Sequence, residues 1–230
     1  WTKNVTVGAA TAQFNGQLTV SATLPKADKA QLQAQIDRAN NSADYIKADA
    51  AVASALSAAK NVVAKPNPTP AEISQATNDL KQALDAAIAK ETAAQAAART
   101  AVDKAKNSKS PADIRAAEAL LSHVQDTDKK SAMQDELNAV KQEITDARTA
   151  LSKLIDKAKN TPTDGLAAET VAALNTAIAA AKAVNNDQES TVAQLTEAKT
   201  KLQSALDNLK TDKTALAKAI ADADKEPVYI

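Results

Sequence analysis

Between Met133 and Ala158 the apolar residues fall in one unbroken file. Met133, Leu137, Val140, Ile144, Ala147, Leu151, Leu154 and Ala158 step alternately by four and three residues, which puts them all on one face of an α-helix. The file predicts a helix from about 128 to 160. The same period recurs on either side. Leu32, Ile36 and Ala39 predict a short helix over 27–41, and Val52, Leu56, Ala59 and Val63 predict one over 46–64. Pro66, Pro68 and Pro70 then break the chain. A third helix is expected from Pro70 to about 107, a span without Gly or Pro after its first residue, roughly 55 Å long at ~1.5 Å per residue. Ile114, Leu120, Leu121 and Val124 predict a helix over 111–124, and another returns over 166–184 after Thr161-Pro162 and Gly165. The last begins at Val192. Its seam passes through Leu195, Ala198, Leu202, Ala205 and Leu209 and on to Leu216, Ala219 and Ala223. Asp212 is the one polar rung of that ladder, and Lys90 is its counterpart in the third helix. Both are expected where one module hands over to the next.

Residues 1–25 have a different period. Val5 and Val7 alternate, as do Leu18, Val20, Ala22 and Leu24, and Asn15-Gly16 lies between the runs 3–13 and 17–24. Asn-Gly suits the two positive-φ positions of a tight turn, so a β-hairpin is expected. A lone hairpin is marginal in water, and this one reads as the end of a preceding β domain. The abrupt ends at Trp1 and Ile230 read as those of a piece of something longer.

The helices repeat. Thr69–Asp85 and Thr191–Asp207 align without a gap at an offset of 122, matching Ile73 to Leu195, Ala76 to Ala198, Leu80 to Leu202 and Leu84 to Leu206. Each opens with Thr followed three residues later by Glu72 or Gln194. This is a capping box, in which the two side chains satisfy backbone donors that the first helical turn leaves open. Ala55–Val62 aligns with Ala177–Val184 at the same offset, and Leu32/Ile36/Ala39 with Leu151/Ile155/Ala158 at an offset of 119. Leu216/Ile220/Ala223 starts the pattern a third time. Tyr45 and Tyr229, the only tyrosines, then share a repeat position, each followed by Ile.

This arrangement resembles the FIVAR repeat of Gram-positive surface proteins: a short Leu/Ile helix, a helix with A-L-x-x-A-x-x-V, then T-x-x-[EQ]-[IL]-x-x-A-x-x-x-L-x-x-A-L. The likeness covers about 29–88 and 149–209, with a start at 213–230. The segment 91–147 resembles another family of bacterial surface three-helix modules through Asp113-Ile114, Ala117, Leu120-Leu121, Val124, Asp126, Lys129-Lys130, Leu137 and Val140. The resemblance implies an extracellular, cell-wall-associated or secreted protein whose helical modules form a stalk or adhesive array, with a host extracellular-matrix or serum protein as partner. No binding residue carries over, because the shared positions are core positions.

Composition narrows the chemistry. Aromatic residues make up 2% of the chain, and Ala dominates the apolar set. Ala forms helices well but buries little area, which suits narrow bundles and not a thick globule with a deep pocket. Basic and acidic residues balance at 28 each, without a block of one sign, so a nucleic-acid surface is not expected. No apolar run is long enough for membrane insertion. Cysteine is absent, which excludes disulfides and thiol chemistry.

His123, the sole histidine, reads as a helix C-terminal residue favoured by the macrodipole. Asp126-Thr-Asp128 and Asn185-Asn186-Asp187 lack the Gly and distal Glu of a calcium loop and read as helix caps. The acidic residues of the long helices, interspersed with Lys, read as a solvated face. Tyr45 and Tyr229 are the candidate ligand contacts, with packing across the open end of the bundle as the alternative for Tyr45. No catalytic, cofactor or metal residues are expected.

The fold expected is all-α: tandem antiparallel three-helix bundles joined by long shared helices into a monomeric rod, with a short N-terminal β-hairpin. The parts are the hairpin at 1–25, bundles at 26–90, 91–147 and 148–210, and the start of a further repeat at 211–230. The function expected is a non-enzymatic stalk that spaces and displays a distal domain and binds a host protein. The alternatives are a helical accessory segment of a secreted carbohydrate-active enzyme and an intermolecular coiled coil through Met133–Ala158.

Overall fold

The structure, a computed structural model, describes residues 3–7, 10–14 and 29–210, together with 213, 217, 218 and 221. It is nearly all helical. The chain divides into two compact units, Trp1–Leu84 and Asp85–Ile230.

In the first unit, β1 (Lys3–Val7) pairs antiparallel with β2 (Ala10–Phe14), Lys3 opposite Phe14 and Val7 opposite Ala10. A strand pair is therefore present, but both its strands come from the run expected to form only the first. Gly8 and Ala9, between the two strands in sequence, lie outside the described residues. The turn at Asn15-Gly16 and the run 17–24 lie outside the described residues.

Helix α1 (Ala30–Asn40) buries Leu32, Ile36 and Ala39. The helix expected over 46–64 is two: α2 (Asp44–Lys47) and α3 (Ala50–Ala64). Asp49 divides them, because its carboxylate accepts the backbone N–H of Ala51 and Val52 and so caps α3. A short acidic side chain that captures donors two and three residues ahead starts a new helix. Buried Ile73, Ala76, Leu80 and Leu84 on the first turns of α4 (Pro70–Ser108) complete this core with Val52 and Ala59.

The second unit holds the rest of α4, then α5 (Pro111–Leu121), α6 (Thr127–Lys159), α7 (Ala168–Asn186) and α8 (Val192–Asp207). Its core is one cluster that follows α6 from end to end. Ala98, Val102, Ile114, Leu121 and Val124 surround the first half of α6, and Leu174, Ile178, Leu195 and Leu202 the second. On α6 itself Met133, Leu137, Val140, Ile144, Leu151, Leu154 and Ala158 are all buried, and Ala147 is half-buried. The apolar file is thus covered by the chain's own helices. Both long helices pass the expected hand-over positions, Lys90 and Ala147, without a break.

Two expectations are corrected. The seam of α4 runs Leu84, Ala87, Glu91, Ala98, so Lys90 is exposed and the polar rung is Glu91, buried at 6% exposure. The last helix does not continue to Ala223. It stops at Asp207 with Asn208 as its cap. The chain instead turns beside the loop before α7, where Ala167 N–H donates to the Lys210 carbonyl at 2.8 Å. Ala217, Lys218 and Ala221 are helical again; Asp212 lies outside the described residues.

Candidate functional site

Several polar side chains on and beside α6 hold turns in place. At its start, Asp126 caps the helix by accepting the N–H of Lys129 at 3.1 Å. Glu91 accepts the backbone N–H of Gln125 at 3.1 Å and of Asp126 at 3.0 Å, and the Nε2 of Gln95 at 2.9 Å. Burial pushes the Glu91 carboxyl up, but these hydrogen bonds outweigh it and leave the group below the usual carboxylate range. The loop between α5 and α6 is thereby fixed to α4.

Near its middle, α6 meets two further turns. Lys109 ends α4 with φ of 47°, a left-handed conformation that non-glycine residues hold only where their surroundings impose it. In that conformation its carbonyl accepts the N–H of Val192, the first residue of α8, at 3.3 Å, while its Nζ lies 2.5 Å from Glu143 of α6. Arg115 of α5 reaches Glu189 in the α7–α8 turn at 2.8 Å. One turn further along α6, Arg148 donates to the carbonyls of Asn185 and Asp187, each at 2.5 Å. Helix C-termini leave such carbonyls without partners, and a guanidinium fork can serve two at once.

The same task recurs in the first unit. Lys29, which aligns with Arg148 at the offset of 119, donates to the carbonyls of Val63 at 2.6 Å and Lys65 at 2.8 Å. Those residues align with Asn185 and Asp187 at the offset of 122. Lys29, just ahead of α1, thus ties down the end of α3, and Arg148, ahead of Leu151 and Ile155 on α6, ties down the end of α7. Sequence reading missed this pair; the alignment of Lys29 with Arg148 was the signal that could have found it.

Ion pairs brace the first half of α6. Arg99 and Lys106 of α4 both meet Glu136, at 2.6 and 2.5 Å, and Arg99 also pairs with Asp103. The hydrogen bonds from Arg99 and Lys106 hold the Glu136 carboxyl down at about 2. Glu118 of α5 pairs with Lys141 at 2.5 Å and is likewise held low.

The capping boxes form as expected. Thr69 N–H meets Glu72 at 2.8 Å, with Glu72 N–H returning to Thr69 Oγ1 at 3.2 Å; Thr191 and Gln194 exchange bonds of 2.8 and 3.3 Å. His123 is exposed in the turn two residues past the end of α5. Asp187 ends α7 and accepts Glu189 N–H at 2.9 Å and Ser190 Oγ at 3.3 Å. Among the described residues no group of His, Asp and Glu could hold a metal ion. Tyr45 is half-buried on α2, and Tyr229 lies outside the described residues. An open groove between α7 and α8 is lined mainly by Ala173, Ala177, Ala180 and Ala198.

The arrangement is that of a helical protein in which charged side chains secure turns onto long helices. The sequence model of the FIVAR domain matches residues 28–87 and 147–210, and the chain belongs to the FIVAR domain family. FIVAR domains are non-catalytic modules found in cell-surface proteins. No curated protein and no solved structure matched the chain. No helix among the described residues is long and apolar enough to cross a membrane.

Proposed function

We propose that this chain is a non-enzymatic spacer in an extracellular protein, carried on the cell wall or secreted, which holds a distal domain away from its base. In this reading three-helix bundles at 26–90, 91–147 and 148–210 stand in series on shared helices, and the whole is a monomeric rod. The observation that carries the reading is α6. It runs 33 residues without a break while different helices pack on its two halves, so bending there would require unwinding a buried helix. A host matrix or serum protein would meet such a rod on its exposed faces, with Tyr45 and Tyr229 as contacts.

Small-angle scattering of the chain tests the extended form. A compact globule of 230 residues has a radius of gyration of about 17 Å. The rod requires a value well above that, independent of protein concentration. A value near the globular one, or one that rises as chains associate, refutes the monomeric rod.

A further inference from the structure

We infer that the contacts around the middle of α6 make the second unit a single cooperative folding unit, with Arg148 and the Val192 N–H as its coupling elements. The claim concerns folding and stands whether or not the chain is a spacer. Two packing groups share α6: the second half of α4 with α5, and α7 with α8. Without contacts between them, each could open while the other stayed closed, as neighbouring modules of repeat proteins do.

Three features link them. The buried file on α6 has no gap, because Ile144, Ala147 and Leu151 carry it across the middle. The turns that end the two groups touch directly, Val192 N–H on the Lys109 carbonyl and Arg115 on Glu189. Lys109 keeps its left-handed backbone there, and such conformations persist where surrounding contacts over-determine them. Finally, Arg148 fixes the end of α7 to α6 through the carbonyls of Asn185 and Asp187, so the α7–α8 turn is held where it meets Lys109. The Arg115–Glu189 pair is more than half exposed on both sides and adds little. The coupling therefore rests on the backbone contact and on Arg148.

The repeat supplies selective variants. Val192 is the first residue of α8, after the cap Thr191, and its counterpart at the offset of 122 is Pro70. Proline is tolerated at that helical position, and Thr191 already has the extended backbone, φ −76° and ψ 163°, that a following proline requires. Val192→Pro thus deletes the donor to Lys109 and leaves α8 able to form. At 148, Arg148→Met keeps the aliphatic stem and removes the donors. Arg148→Lys restores a donor of the kind Lys29 uses in the first repeat.

The experiment is amide hydrogen exchange by mass spectrometry on the full chain. In the unaltered protein, peptides from α5 and from α7–α8 are expected to show one common protection factor for their slowest amides. Arg148→Met and Val192→Pro should each speed the slowest amides of both groups, about tenfold for Arg148→Met, the scale of one charged hydrogen bond, because in one cooperative unit all of them exchange through the same opening. Arg148→Lys should stay close to the unaltered protein, while circular dichroism confirms that the variants remain helical. Separate protection factors for the two groups in the unaltered protein overturn the proposal. So does acceleration confined to α7–α8, or of neither group, in both variants.

Discussion

Replacing Glu91 with leucine sets two forces against each other. The position lies on the apolar seam of α4, between Ala87 and Ala98, so leucine would complete the file. Fully burying a leucine side chain contributes about 1.5–3 kcal/mol, and the methylenes that Glu91 already buries reduce the gain to about 1–2 kcal/mol. Against this stand two backbone N–H groups, of Gln125 and Asp126, that lose an ionised acceptor at 3.1 and 3.0 Å. Hydrogen bonds to a charged partner contribute about 1.5–3 kcal/mol each. Gln125 is exposed and Asp126 half-buried, so water recovers part of that loss, which leaves about 3 kcal/mol. The donors cannot be mutated away, because they are backbone. This separates the case from ion pairs that hydrophobic substitution can replace as a set. Glu91→Leu should therefore destabilise the second unit by about 1–2 kcal/mol, and Glu91→Ala, which gains nothing, by about 3 kcal/mol. Urea denaturation followed by circular dichroism, with hydrogen exchange at Gln125 and Asp126 to localise the effect, reads both values. A Glu91→Leu protein as stable as the original, or more so, would show that the seam outweighs the turn and refute the assignment.

Two other outcomes follow from the same contacts. Leu137 is fully buried on α6, and Leu137→Ala should cost about 2–5 kcal/mol, seen as a lower urea midpoint; a loss under about 1 kcal/mol would place the residue outside a packed core. Glu136 is held at about 2, from an ordinary value of 4.5, by hydrogen bonds from Arg99 and Lys106. A carboxyl depressed in the folded state stabilises it above its unfolded value, and the contribution is lost as pH falls from 4.5 through 2. Since Glu136 is about one-third exposed, solvent screening reduces the contribution to about 1 kcal/mol. The difference in stability between the original protein and Glu136→Gln should shrink across that window, and a difference independent of pH would contradict it.

The helices were legible because their signals are local. The four-three step predicted α6 to within a residue or two, and the Thr-x-x-Glu and Thr-x-x-Gln patterns located the starts of α4 and α8. Asp49 was missed because apolar period was weighed above capping. Val52, Leu56, Ala59 and Val63 fall on one helical stripe, and nothing in that file marks its start, yet the Asp49 carboxylate begins a new helix there. The rung at 90 was misplaced for a related reason: Ala83 and Leu84 are both apolar, so the ladder can be stepped 80–83–87–90 or 80–84–87–91. Only packing decides between these, and it decides for Glu91. The ends tied by Lys29 and Arg148 left almost no trace, because their targets are backbone carbonyls and every residue has one.

That last point bears on what the repeat preserves. Lys29 sets one ammonium against two carbonyls, at 2.6 and 2.8 Å, whereas Arg148 gives a separate nitrogen to each. Glu91, at the corresponding place ahead of the segment between the matched repeats, reverses the chemistry and takes backbone N–H groups instead. Lys29 stands at the start of a helix and Glu91 and Arg148 within one, and each secures the end of another. They differ because the turn each meets presents different atoms, carbonyls after α3 and α7 but amides before the capped start of α6. A side chain of either charge can fill the role where the backbone beside it offers the complementary group. The part such a side chain plays is therefore read from the backbone atoms it reaches, and not from its residue type.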